Sequence, residues 1–442
     1  MIILSLLILI AGCTPQSDEP AGEAADGDTT AVPPTTLYPP TATATETAVP
    51  TSTLTPTATK PPSPASTPAP TATDTPSPAP KPTMTPLAVQ IGPFRRVGPV
   101  PDVGLHRLHI DSHGRLYLIA DSIMQFDDEN WTPYLDNFEG HFVGIDADGR
   151  VWTRNESGTQ VAAWNGESWQ TYGAEAGWLP VEEALFAPVP RQNIVVDAHG
   201  RTWLVTAADT RVLEAGVWTI HNADTMGLPL PDNPDSSWPT FTIAAIGNNV
   251  WVGQCHWSGP GPVGGNGAAV FDGAQWTTIY DKGCVNGIVS ANSGEIWFNL
   301  GGALGKVNPS DGQVNIYPPP ELDSGWYGFA EALFVDADGR PWPVLAVCGG
   351  ASCYNGIDSF RVETDDQWTK VLPDLEEPYL QIIAAAGTTW VFVPGQIMQL
   401  TAGELQPVAD LNVFLEDVVV EEDGRLWFVV VEENGRSLWT HP

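Results

Sequence analysis

Residue types that carry reaction chemistry are sparse in this 442-residue chain, and their spacing is poor for catalysis. No Gly-x-Ser-x-Gly elbow, phosphate-binding loop or His-Glu-x-x-His pair occurs. The common nucleophile, nucleotide and zinc-protease chemistries therefore lack their residues. Asp146-x-Asp148 and Asp336-x-Asp338 could suggest calcium. No bidentate acid follows at loop spacing, so a turn is the better reading. Four cysteines, Cys255, Cys284, Cys348 and Cys353, form an even set. In an exported protein such a set reads as disulfides. Without two Cys-x-x-Cys pairs it is poor zinc geometry. What is left is a scatter of polar side chains: His141, Asn193, Asn286, Glu331, Gln381 and Asp417. His256 and Trp257 add to them from a Gly/Pro-rich stretch. A Glu–His pair drawn from these could do acid–base work if the fold brought it together. No metal, no cofactor and no catalytic set is expected.

Such residues meet only if the chain returns repeatedly to one place, and after Ile91 the sequence does repeat itself. Clear copies are Ile145-Asp-Ala-Asp-Gly-Arg-Val-Trp152, Val196-Asp-Ala-His-Gly-Arg-Thr-Trp203, Val335-Asp-Ala-Asp-Gly-Arg-Pro-Trp342 and Val420-Glu-Glu-Asp-Gly-Arg-Leu-Trp427. Ile110 to Tyr117 is the same phrase with Tyr in the last place. Weaker copies end at Trp251, Trp297 and Trp390. Each copy reads as four strands. An apolar run leads into an Asp-x-x-Gly turn, in which Asp caps and Gly takes positive φ. An aromatic-led strand follows, then a hairpin such as Phe271-Asp-Gly-Ala-Gln-Trp276. A second Trp (131, 169, 218, 276, 368) marks the fourth strand.

Four short strands at about 45 residues per unit make a propeller blade. The expected fold is therefore all-β, an eight-bladed β-propeller; seven blades are the alternative if one copy merges with its neighbour. The last copy supplies three strands and stops, while Pro93-Phe-Arg-Arg-Val-Gly98 is an orphan strand ahead of the first. It is expected to join the last blade and close the ring, which removes an open edge. In this register His141, Asn193, Asn286, Glu331, Gln381 and Asp417 start innermost strands near the mouth of the central channel. Loops joining second to third strands share a face with the blade-to-blade loops. That favours the pairings Cys255–Cys284 and Cys348–Cys353. Long insertions on the same face carry Trp178, Trp238, Trp257 and Trp326, which either stack on sugars, grip a peptide or pack down on their own loops. His113, His199 and the recurrent turn Arg (115, 150, 201, 340, 425) read as structural.

The phrase Asp-x-Asp-Gly-x-(Leu/Val)-Trp followed by Phe-Asp-Gly-x-x-Trp resembles the two-component regulator propeller repeat, over residues 92–442. That resemblance implies an extracytoplasmic sensor propeller of the kind often fused to histidine kinases. Here the repeats run to Pro442, and a propeller displayed by itself is the expectation. Gly294 to Gly312 is similar to one blade of virginiamycin B lyase, which does not carry over that enzyme's active site.

Met1 to Gly12 is a short apolar run, too short to span a bilayer as a helix and suited to a signal core. Ile10-Ala-Gly-Cys13 resembles a bacterial lipobox, which implies cleavage before Cys13 and diacylation of it. From Thr14 to Pro86 the chain holds 18 Pro and 20 Thr and no Trp. Such a segment cannot bury enough apolar surface to fold; extended, it would reach on the order of 200 Å. The expected layout is thus signal peptide 1–12, disordered Thr/Pro-rich linker 13–90 and propeller 91–442.

The chain has 18 Lys+Arg against 53 Asp+Glu, a formal charge of −35. After residue 90 there are 46 acidic and 16 basic residues, so most of that charge sits on the folded part. This disfavours nucleic acid, and none is expected as a partner, since phosphate binding needs clustered cations. Membrane contact is expected through the lipid anchor alone. The expected partner is a neutral or cationic surface ligand or protein, met by a monomer lipid-anchored to the outside of a bacterial cell membrane. Function is expected to be non-catalytic binding or sensing of a glycan, peptide or protein. The alternative is a lyase or hydrolase with its site at the channel mouth.

Overall fold

The structure is a computed structural model. It describes residues 90–441 except 103–106, 137, 139, 181–193, 207, 230–237, 259–260, 292, 301–302, 309–311, 319–325, 350–351, 363–366, 376–380, 394, 411–413 and 433–434. At 238–239, 257–258, 261–266, 326–332, 345–349, 352–360 and 372–375 the backbone alone is described. Cys13 and the Thr/Pro-rich segment lie outside the described residues. The chain divides into two units, 1–86 and 87–442, and every described residue belongs to the second.

The described strands form eight antiparallel sheets, one per copy of the repeat. Blades 1 to 7 are each four consecutive strands, spanning 107–135, 141–172, 194–221, 238–280, 287–317, 326–375 and 381–410. Blade 8 takes Phe414–Val420, Leu426–Glu432 and Gly435–His441 from the end of the chain. Its fourth strand is Phe94–Val100, which pairs with Gly435–His441, and the two-residue strand Gln90–Ile91 adds a fifth. Adjacent blades meet along their first strands, and Phe414–Val420 meets Arg107–Ile110, so the ring is a β-propeller closed by its N-terminal strand. Phe94 secures the closure: its ring centroid lies 5.3 Å from both Trp390 and Phe428.

Blades 2 and 3 show how the turn the repeat encodes holds a blade. Asp146 Oδ1 accepts the backbone N–H of Asp148 and Arg150 at 3.1 and 3.0 Å. Its Oδ2 accepts Arg150 Nε and Trp152 Nε1, both at 2.8 Å. Asp197 does the same with His199, Arg201 and Trp203. One buried carboxylate therefore folds the turn, fixes the arginine and satisfies the indole N–H of a fully buried Trp. The turn glycine is required for a second reason. Gly149 has φ +79°, and a Cβ there would run into Arg115 Nη2 and lie 2.6 Å from Asp111 Oδ2. The blade 2 turn thus presses onto the matching anchor of blade 1. Cores form between blades: Trp152, Tyr172, Trp178 and Trp218 interlock between blades 2 and 3.

Two expectations are corrected. The insertions around Cys255 and Cys348 are not loops. Asn249–Ser258 and Gly261–Phe271 continue as one long hairpin, and so do Pro341–Gly349 and Ser352–Val362. Once a hairpin is started, its ladder keeps satisfying backbone groups, and Gly-rich strands follow it through bulges; shifts occur around His256. The second correction is that Glu331 and Asp417 do not start strands. Glu331 lies at a register shift inside Trp326–Val335, and Asp417 follows one inside Phe414–Val420.

Candidate functional site

The channel mouth is the site the sequence points to, and part of it does converge. Asp417 Oδ2 accepts the Leu108 N–H at 2.7 Å, and its Oδ1 accepts Gln381 Nε2 at 3.1 Å. One side chain from blade 8 therefore joins the first strands of blades 1 and 7. The bulge beside it turns the preceding Glu416 to Arg436, whose Nε donates at 2.8 Å. Burial pushes the Asp417 carboxyl above the usual carboxylate range, against the Gln381 and Leu108 hydrogen bonds and the charge of Arg107. A carboxylate so placed works as a brace.

The remaining candidates stand apart. His141 opens the first strand of blade 2, half exposed, with Nε2 3.5 Å from Glu156 Oε2. The Asn286 N–H donates to the Asn299 carbonyl at 3.2 Å, stitching the inner edge of blade 5. Asn193 lies outside the described residues, as do the side chains of Glu331 and Trp257. His256 is buried; its Nε2 stands 3.3 Å from Gln254 Nε2, and burial lowers its pKa. Beside it Cys255 and Cys284 form a disulfide, which ties the tall hairpin of blade 4 to the entry of blade 5. Cys348 and Cys353 are backbone partners directly across the blade 6 hairpin.

Trp178, a candidate ligand platform, packs down. It is buried, its Nε1 donates to the Gly158 carbonyl at 3.1 Å, and the Arg211 guanidinium lies 4.2 Å from its ring. His109 stands out in the structure, although nothing in its sequence context marks it. Burial, with Asp111 opposing and Arg107 assisting, lowers its pKa to about 4. It is therefore neutral across the physiological range. A hollow of about 500 Å³ also opens between blades 6 and 7, lined by Asp338, Arg340, Arg361 and Thr389. The blade 7 turn beside it is the short Ala386-Gly387, where blade 2 uses 146–150. Among the described residues no group of His, Cys, Asp and Glu could hold a metal ion, and no helix is long and apolar enough to cross a membrane.

No family model and no curated protein matches the chain. Solved structures do. Virginiamycin B lyase from Staphylococcus aureus aligns with 14% identity and a TM-score of 0.42, over 79% of this chain and 99% of that one. The extracellular domain of a one-component system from B. thetaiotaomicron aligns with 12% identity and a TM-score of 0.37, over 77% of this chain and 52% of that one. This chain therefore spans about half the length of the latter. YCF48 bound to D1 peptide aligns with 14% identity and a TM-score of 0.44, over 80% and 98%.

Proposed function

We propose that the chain is an extracytoplasmic propeller, anchored by lipid at Cys13, that binds or senses a surface ligand without transforming it. One observation carries the reading. Asp417, the channel-mouth acid whose contacts are described, spends both its oxygens on bracing three blades. A group so committed holds a scaffold rigid, and rigid scaffolds present binding surfaces with little entropy to lose. The disulfide-tied hairpin of blade 4 serves the same end. The lipobox, the Thr/Pro tether and the repeat support the address, and the charge of −35 favours neutral or cationic partners.

The test uses the Cys13→Ala chain. It is expected in the medium, whereas the parent stays with the membrane; retention of the variant would refute the anchor. The secreted protein is then screened for ligand by thermal shift, and the ligand is analysed after long incubation. Recovery of unchanged ligand supports binding, while conversion to product establishes the lyase or hydrolase reading in its place.

A further inference from the structure

The repeat makes one blade conspicuous. The residue after the anchoring aromatic packs toward the preceding blade, and it is apolar and buried in Leu118, Leu204, Val252, Phe298, Val391 and Phe428. In blade 2 it is Thr153. Its neighbours across the sheet are Ala162 and then Thr171, all on the same face. Ala162 and Thr171 have counterparts in Ala269 and Thr278 of blade 4, so Thr153 is the position at which blade 2 lacks bulk, and a cavity of about 320 Å³ lies there between blades 1 and 2. That volume is at the lower end of small-ligand pockets.

Trp169 stands at the edge of this cavity. In the same slot of blade 3, Trp218 is buried under Trp152, Tyr172 and Trp178. Trp276 of blade 4 is covered by Trp203 and Phe271. Trp169 instead is 40% exposed, and its ring neighbour is Trp164 at 5.5 Å. The other walls are mixed: Leu135, Phe138 and Val161 line it beside the polar Asn155 and Gln160, the two Thr residues and Asp136, and none of the lining residues is cationic.

We infer that this cavity is a binding site for a neutral sugar. A pyranose has an apolar C–H face and a rim of hydroxyls that both donate and accept. An exposed indole offers the matching flat surface. Amides and hydroxyls offer both donor and acceptor, as the rim needs. Among the described residues, the sole ionisable side chain on the wall is Asp136, an acid. It disfavours uronic acids, in keeping with the acidic surroundings. The inference rests on the binding reading and names its ligand class.

The test titrates the full chain by calorimetry with cellohexaose, mannohexaose, maltohexaose and hexagalacturonate. Two variants accompany it. Trp169→Ala removes the platform, and Thr153→Leu gives blade 2 the residue its neighbours carry and fills the cavity. At least one neutral hexasaccharide is expected to bind, and both variants to weaken it by about tenfold or more. Thr153→Leu is expected to keep or raise the melting temperature, so its loss of binding cannot be unfolding. Binding that survives both substitutions would overturn the site while leaving the propeller a binding module. Tighter binding of hexagalacturonate would overturn the neutral class. Failure of all four to bind would overturn the sugar assignment, and the binding reading would then be decided by its own ligand-recovery assay.

Discussion

Asp146 and Asp197 make the same hydrogen bonds and yet titrate in opposite directions. Burial raises Asp146 and outweighs its Trp152 and Arg150 partners. At Asp197 burial also pushes upward, but the Trp203 and Arg201 hydrogen bonds win, and the carboxyl falls below its ordinary value. Removing either acid strands a buried indole N–H and an arginine. Asp197→Ala is expected to cost about 3–5 kcal/mol in urea unfolding, since breaking a buried pair leaves its partner uncompensated. Asp417 sets a pH dependence of the other sign. Its folded pKa is raised, so the folded state takes up a proton more readily than the unfolded chain. Its contribution is then greatest at low pH and is lost as pH rises above about 4, the ordinary carboxylate value. Asp417→Asn is expected to flatten that fall above about pH 4; its Oδ1 can still accept the Leu108 N–H, and the Gln381 amide must turn its carbonyl to the new NH2. An unchanged pH slope, followed by denaturant midpoint, would refute the assignment.

At the scale of elements, most of the blade was legible and its extensions were not. The Asp-x-x-Gly turn and the aromatic after it announce the first hairpin because local chemistry builds both. The orphan strand at Phe94 was legible for a similar reason: the last copy lacked one strand. The long hairpins at 249–271 and 341–362 were hidden. Their Gly/Pro-rich residues carry no apolar alternation, and their order comes from pairing with each other. The brace at Asp417 was hidden because its partners, Leu108 and Gln381, are distant in sequence. The inward blandness of Thr153 could have been read by aligning the eight copies column by column. Two predictions belong at this scale. Phe94→Ala should cost about 3–5 kcal/mol, because a fully buried ring between two blades is deleted. Cys284→Ser should cost about 3–4 kcal/mol by the chain-entropy model for a loop of this length. Mass mapping of the non-reduced protein should find Cys348 linked to Cys353.

For the whole molecule the governing quantity is charge. The propeller region carries 46 acids against 16 bases, and like charges held in a compact body repel one another. Its melting temperature should rise as salt is raised from about 10 mM to 150 mM, over which the Debye length shortens from about 30 to 8 Å. A flat salt response would show that the ring already pairs its acids well enough.

Closure has a consequence in time. The strand at Phe94–Val100 is made long before Gly435–His441, the strand it must pair with. Arg96 and Glu432, joined at 2.8 Å, are 336 positions apart. Contacts of such separation form late and slowly. Seven blades can therefore assemble in order as they emerge, while the first strand waits unpaired. Until the last one arrives, the half-made ring presents two raw edges, and it is then that a helper protein, or a stray strand from elsewhere, would find a hold.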